Sequence, residues 1–253
     1  MDEKVVQVLD RAFDILELLS LEKDGLGVTE ISNRVGLHKS TVHRILSSMG
    51  QRGYVEKSTG NNAYKIGLKL IDISSIYLNS MELKTEARPY LSELTASLGV
   101  PTHLAILDGA DAVYIDKVEI VNNLRLYSQI GRRIPVYCSA LGKSLLSGLN
   151  YGELVEVTSK CSFARITEKT IHNKQELIDQ VVNVRLKGWS VDDEEHDPGI
   201  RCIAAPVLDY RGKVIAAVSV AGSSEIISKD RDEDIGKLVM ETAACISKRL
   251  GHA

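Results

Sequence analysis

Between residues 5 and 20, apolar side chains recur at Val5, Val8, Leu9, Ala12, Leu16 and Leu19, while Asp10, Asp14 and Glu17 fall on the opposite side. That spacing predicts one amphipathic helix. After the turn-forming Lys23-Asp24-Gly25, Thr29 is placed to cap a short helix running through Val35, and Gly36 is the residue that most easily leaves a helix end. A third helix is predicted over residues 39–49, where Val42, Ile45, Leu46 and Met49 form the apolar stripe and Ser40, Thr41, His43 and Arg44 the other face. Two strand-like runs, 53–57 and 63–66, flank the hairpin-forming loop 58–62. A helix pair followed by such a hairpin predicts a winged helix-turn-helix.

Residues 67–98 read as largely helical, with Leu68, Leu70, Ile71, Ile73, Ile76, Tyr77 and Leu78 in a first stretch and Leu91, Leu94 and Leu98 in a second. Pro89 is expected in the first turn of the second helix. So apolar a first stretch needs a partner, and a second copy of the chain is the economical one. Past Gly99 the pattern alternates: a hairpin of 102–107 and 112–118 around the turn 108–111, a third strand at 124–128, helices at 141–149 and 174–187, strands at 202–207 and 214–220 around 209–213, and a final helix at 231–250 with Ile235, Leu238, Val239, Thr242 and Ile246 on one face. Hairpins interleaved with helices predict an α+β fold around an antiparallel sheet. The expected domains are 1–66, a winged helix-turn-helix DNA-binding domain; 67–98, linker and dimerisation helices; and 99–253, an effector-binding domain.

A length of 253 residues, 44% hydrophobic and 26% charged, suits two packed domains and excludes a disordered chain. The N-terminal segment carries acids among its apolar residues, so it reads as neither a signal peptide nor a membrane span, and a cytoplasmic location with no membrane partner is expected. The net charge of −3 hides a segregation: residues 33–69 carry seven basic side chains against Glu56 alone, a net of +6, whereas residues 1–32 have a net of −5. The basic excess falls on the third helix and the hairpin. Small polar and basic side chains on a slim helix can reach base edges in a major groove, and hairpin lysines can lie along phosphates. The alternatives are a generic trihelical bundle whose basic face is merely solvated and a winged helix that contacts protein.

Cys138, Cys161, Cys202 and Cys245 are far apart, with no CxxC pair, which argues against structural zinc and a disulfide framework. Gly142-Lys143-Ser144 ends like a phosphate-binding loop, but Tyr137 stands where that loop needs its first glycine. Gly142 is therefore expected to permit close packing and Lys143 to be solvated. The cluster Asp192-Asp193-Glu194-Glu195-His196-Asp197 reads as a metal site, a solvated acidic loop, or a loop with one carboxylate turned into a pocket. Cys202 near His196 is the closest approach to a nucleophile and base, without the context of a known nucleophile motif. No catalytic residue, metal ligand or cofactor is expected; an enzyme acting on a small acid is the rival class.

The chain resembles the IclR family of bacterial transcription regulators over essentially its whole length. The resemblance rests on Gly36-Leu37-His38-Lys39-Ser40-Thr41-Val42-His43-Arg44-Ile45-Leu46, on Pro135-Val136-Tyr137-Cys138-Ser139-Ala140-Leu141-Gly142-Lys143, and on Gly188-Trp189-Ser190-Val191-Asp192-Asp193-Glu194-Glu195 with Gly199-Ile200-Arg201-Cys202-Ile203-Ala204-Ala205-Pro206-Val207. It implies a winged helix-turn-helix, a dimerising linker helix and a C-terminal effector domain of GAF-like or PAS-like topology, in dimers or dimers of dimers. It also implies a regulator of a metabolic operon, a repressor before an activator, whose affinity for double-stranded operator DNA responds to a small carboxylic-acid effector such as glyoxylate, pyruvate, or a sugar or aromatic acid. Carried over by position, the backbone at Ala140 and Leu141 would hold the carboxylate, and Asp192, Cys202 and Ser219 would supply polar contacts. Ala221 stands where the family often has Ser, one hydrogen bond fewer. For DNA, Ser40, Thr41, His43 and Arg44 are the expected base-reading residues, and Lys39, Lys57 and Lys65 the expected phosphate contacts.

Overall fold

The computed structural model describes residues 6–58, 60, 62–79, 81–119 and 128–252, without the side chains of residues 78 and 79. The chain divides into two compact units, Met1–Ser80 and Met81–Ala253. The strand expected at 124–128 lies outside the described residues except for Ser128.

The first unit contains α1 (Gln7–Ser20), α2 (Val28–Arg34), α3 (Lys39–Gln51), β1 (Val55–Lys57), β2 (Tyr64–Ile66) and α4 (Lys69–Asn79). The α3 stripe is buried as its spacing requires, and Val42, Ile45, Leu46 and Met49 pack with Ile15, Leu19, Leu26, Ile31, Val55 and Tyr64. β1 and β2 pair antiparallel, and Leu26 adds a short bridge to Tyr64 through N–H···O bonds of 2.9 and 2.8 Å. Two expectations change. α1 buries Ile15 and Leu19, whereas Val8 and Leu9 stay exposed, because this helix has apolar residues on two sides and only one packs against α3 and β2. The residue at the start of α2 is Gly27, not Thr29, which lies inside the helix; Gly36 does leave its far end with φ +66°.

In the second unit, α5 (Glu82–Leu98) precedes β3 (Thr102–Asp108), β4 (Asp111–Val118), β5 (Arg133–Pro135), α6 (Ala140–Leu146), α7 (Tyr151–Ser159), α8 (Lys174–Lys187), β6 (Ser190–Asp193), β7 (Ile200–Leu208), β8 (Val214–Ser223) and α9 (Asp232–Arg249). Among the described residues, six strands form an antiparallel sheet in the order β5-β4-β3-β8-β7-β6. Pro89 sits inside α5 rather than in its first turn; both it and Thr85, whose carbonyl loses its helical donor, are exposed, so water can replace that bond. On α9, Leu238 keeps 39% of its surface exposed, whereas Ala243 is buried.

Strand alternation gives the sheet two unlike faces. Leu104, Ile203, Ala205, Val207, Val218 and Val220 project to one face and pack with Leu91 and Leu94 of α5 and with Ile235, Val239 and Ile246 of α9. The other face carries Ala105, Ala204 and Ala217, covered by Ala140, Leu141 and Leu145 of α6. Short side chains bring α6 close to the sheet on that face. Gly142 completes the approach, since a Cβ there would collide with the backbone of Val136.

Candidate functional site

In the first unit, Lys39, Ser40, His43 and Arg44 are exposed along α3, while Thr41 is half-buried on its flank. The hairpin lysines do not form a pair. Glu56 is registered opposite Lys65 and Lys57 opposite Tyr64, so Lys57 and Lys65 point to opposite faces of the hairpin. Lys65 lies 3.0 Å from the Glu56 carboxylate, and the Lys57 amine sits 5.8 Å from the centre of the Tyr64 ring. Lys57 thus presents a cation without an acidic neighbour in its own pair, and Lys65 presents one largely matched by Glu56.

In the second unit, the small-residue face of the sheet leaves a cavity of about 60 Å³ beneath the start of α6. Ala140, Leu141, Asp192, Cys202 and Ser219 all line it, as does Ala221. These residues come from α6, β6, β7 and β8. The register sets Asp192 beside Cys202 and Cys202 beside Ala221, with Ser219 one row away beside His103. Ser139 caps α6, its hydroxyl accepting from the Gly142 N–H at 3.2 Å and donating to the Pro135 carbonyl at 2.9 Å. The first N–H groups of a helix have no acceptor within it, so those of Ala140 and Leu141 are donors at the cavity edge.

His103, Tyr114, Ser128 and Arg132 also line the cavity, and sequence reasoning missed them. Strand alternation could have put His103 and Tyr114 on a definite face, but not beside Ser219 or Asp192. The His103 Nε2 lies 2.9 Å from the Ser128 hydroxyl, and its ring tilts against Tyr114 with centroids 5.1 Å apart. Burial, with the positive charge of Lys117, pulls His103 down to about 3, so its imidazole is neutral near pH 7. Arg132 brings positive charge to the rim.

The acidic run 192–197 is divided by the fold. Burial, then the charge of Glu195, pushes Asp192 up to about 7, against the pull of Lys143 and of the Glu195 and His196 backbone N–H groups. Its Oδ1 accepts from the Glu195 N–H at 2.7 Å. Asp193 goes the other way: burial would raise it, but hydrogen bonds from Lys229 and Arg201 hold it at about 2. Glu194 pairs with Lys169 and accepts from the Gly199 N–H. Asp192 and Asp197 therefore line the cavity, Asp197 also lying 2.9 Å from the His196 ring, while Asp193 and Glu194 are engaged elsewhere. Among the described residues, no group of three or more His, Cys, Asp and Glu side chains is placed to hold a metal ion.

Lys143 is not solvated. Its side chain is fully buried, with Nζ 2.6 Å from Oε1 of the nearly buried Glu195. The acid partner lies in the β6–β7 turn, and the pair fixes that turn to α6. Cys202 also departs from a nucleophile's environment: burial, followed by the charges of Asp192 and Asp197, raises its thiol and keeps it protonated. The cavity therefore brings together helix-start donors, hydrogen-bonding side chains, the Asp192 and Asp197 carboxyls and the peripheral Arg132.

Residues 8–59 match the IclR helix-turn-helix domain, and residues 75–248 match the family described as bacterial transcriptional regulator IclR C-terminal. The chain is 37% identical to the HTH-type transcriptional regulator KdgR of Dickeya chrysanthemi, over 96% of this chain and 79% of that one. It is 30% identical to the acetate operon repressor of Salmonella typhimurium, over 97% and 90%. Among solved structures, the Thermotoga maritima IclR superposes with a TM-score of 0.83 at 29% identity, covering 98% of this chain and 100% of that one. An IclR homolog from Microbacterium hydrocarbonoxydans, complexed with 4-hydroxybenzoate, shares the fold with a TM-score of 0.83 at 23% identity, over 96% and 98%.

Proposed function

The chain belongs to the IclR family of bacterial transcription regulators, with a DNA-binding N-terminal domain and an effector-binding C-terminal domain, and from that premise we propose that it is a cytoplasmic, homodimeric repressor released or tightened by a small carboxylic acid. The observation that carries the acid is the convergence of Ala140, Leu141, Asp192, Cys202 and Ser219 on one cavity at a helix start. Oriented N–H groups and the dipole of a helix start favour an anion. The small volume favours an acid of few heavy atoms. The 4-hydroxybenzoate complex of a structural neighbour agrees with a carboxylic-acid ligand, though a larger one, and the repressor name of a relative agrees with the regulatory reading.

For DNA, Ser40, His43 and Arg44 are the side chains proposed to read bases, with Thr41 at the edge of that face, and Lys39 and Lys57 the principal phosphate contacts, Lys65 contributing less. The proposed domains are residues 1–66 for DNA, 67–98 for linkage and dimerisation, and 99–253 for the effector. Dimerisation is supported by α4, where Ile71, Ile73, Ile76 and Tyr77 are all exposed in the single chain. An effector changes DNA affinity only as far as it binds the DNA-competent and incompetent arrangements unequally.

The test is a mobility-shift assay with the promoter region beside the gene, run across salt concentrations with and without a panel of small carboxylic acids. Selective, salt-sensitive binding that one intact acid shifts is the expected result. Binding that no acid alters would remove the effector reading, and an unaltered salt profile on random DNA would remove the operator reading.

A further inference from the structure

The polar contacts carried over from the resemblance come from β6, β7, β8 and α6, whereas Tyr114 reaches the same cavity from β4. Its register partner is Ala105, which in turn faces Ala217, two side chains too short to cover a phenol. The ring is held against His103 with an interplanar angle of 50°. Among the described residues the Tyr114 hydroxyl has no hydrogen-bond partner, although neighbouring polar atoms have theirs: His103 Nε2 is bonded to Ser128, and Asp192 Oδ1 to the Glu195 N–H. A phenol hydroxyl on a cavity wall is placed to bond whatever polar group enters the cavity. Burial raises this hydroxyl's titration far above neutrality, so it stays a donor.

We infer that Tyr114 is a specificity-determining residue whose hydroxyl donates to a second oxygen of the effector, a carbonyl or hydroxyl on the short carbon chain beyond its carboxylate. This rests on the reading of the cavity as a carboxylic-acid site. With the carboxylate at the start of α6, the hydroxyls of Tyr114 and Ser219 and the Asp192 carboxyl belong to the rest of the polar wall, with His103, Ser128, Arg132 and Asp197. Ala221 offers only a methyl group on the adjoining row. The wall therefore selects short oxygenated acids over plain alkanoates of the same length.

The experiment is calorimetric titration of wild type and Tyr114→Phe with propionate, lactate and glycerate, three-carbon acids with no, one and two hydroxyls. Wild type is expected to bind a hydroxylated acid more tightly than propionate, and Tyr114→Phe to shrink that preference, read as the ratio of the two affinities within one protein, by about tenfold. Equal binding of all three acids by wild type, or an unchanged preference in Tyr114→Phe, overturns the inference and leaves the acid site standing. Wild type that binds none of the three overturns both.

Discussion

Lys143 and Glu195 form an ion pair of 2.6 Å in which the lysine has no solvent exposure at all. Glu195 also gives its backbone N–H to Asp192, so a single residue joins α6 to the carboxyl that lines the cavity. Its second oxygen, Oε2, is buried without a partner among the described residues. Such a pair is sensitive to loss of one member, because the other is left as an unmatched buried charge.

Lys143→Met is therefore expected to cost about 3–5 kcal/mol of stability, and Lys143→Met combined with Glu195→Leu to cost much less than the sum of the two single changes. Urea unfolding of the four proteins measures this. Strict additivity would mean that the charges do not depend on one another.

Asp192 gives the protein a proton-linked term in stability. Its folded carboxyl titrates near 7, above the ordinary carboxylate value of 3.8, so between those limits the folded state holds a proton that the unfolded chain has released. Stability from this group is full below about 4 and is lost as the pH rises to 7. Asp192→Asn should flatten that decline. Thermal midpoints of the two proteins at pH 5.5 and 7.5 provide the comparison, with the larger gain on acidification expected in wild type.

On the DNA side, Arg44→Ala should weaken operator binding by about 10- to 100-fold and relax selectivity, as expected for loss of a base contact. Lys57→Ala should weaken binding to all sequences and lower the salt slope by about one, and Lys65→Ala should do less because Glu56 already offsets its charge. Fluorescence anisotropy at several salt concentrations separates the three effects.

The exposed apolar positions of α4 predict a dimer that a charge would break. Ile76 is 72% exposed, and Ile76→Glu is expected to yield monomers by light scattering with weakened operator binding. A variant that remains dimeric would place the proposed interface elsewhere.

Gly142→Ala probes the approach of α6 to the strand end. The added methyl would meet the Val136 backbone, an overpacking expected to cost about 1–3 kcal/mol and to weaken acid binding by displacing the first N–H groups of α6. Retained acid affinity in a destabilised variant would separate the helix position from ligand binding.

The α3 stripe was readable because one helix and its own 3.6-residue spacing determine it, and β7 and β8 because each is a short apolar run beside the turn residues 209–213. Four of the cavity residues, Ala140, Leu141, Asp192 and Cys202, could be named from the sequence because they lie within motifs that carry the resemblance, and Ser219 and Ala221 by their position in it. The remainder depends on contacts between distant segments. Lys143 looks like a surface residue until Glu195, 52 positions later, is folded against it. Tyr114 and His103 have a face from local alternation, but only the pairing of β3 with β4 and β8 sets them beside the cavity. Lys57 and Lys65 look equivalent as charges until hairpin register turns one from the other, and α1 shows two apolar sides of which packing selects one. The sequence determined which elements form, because periodicity and turn chemistry act within a few residues; tertiary structure decided which side chains share a site, because register and desolvation exist only once those elements are assembled.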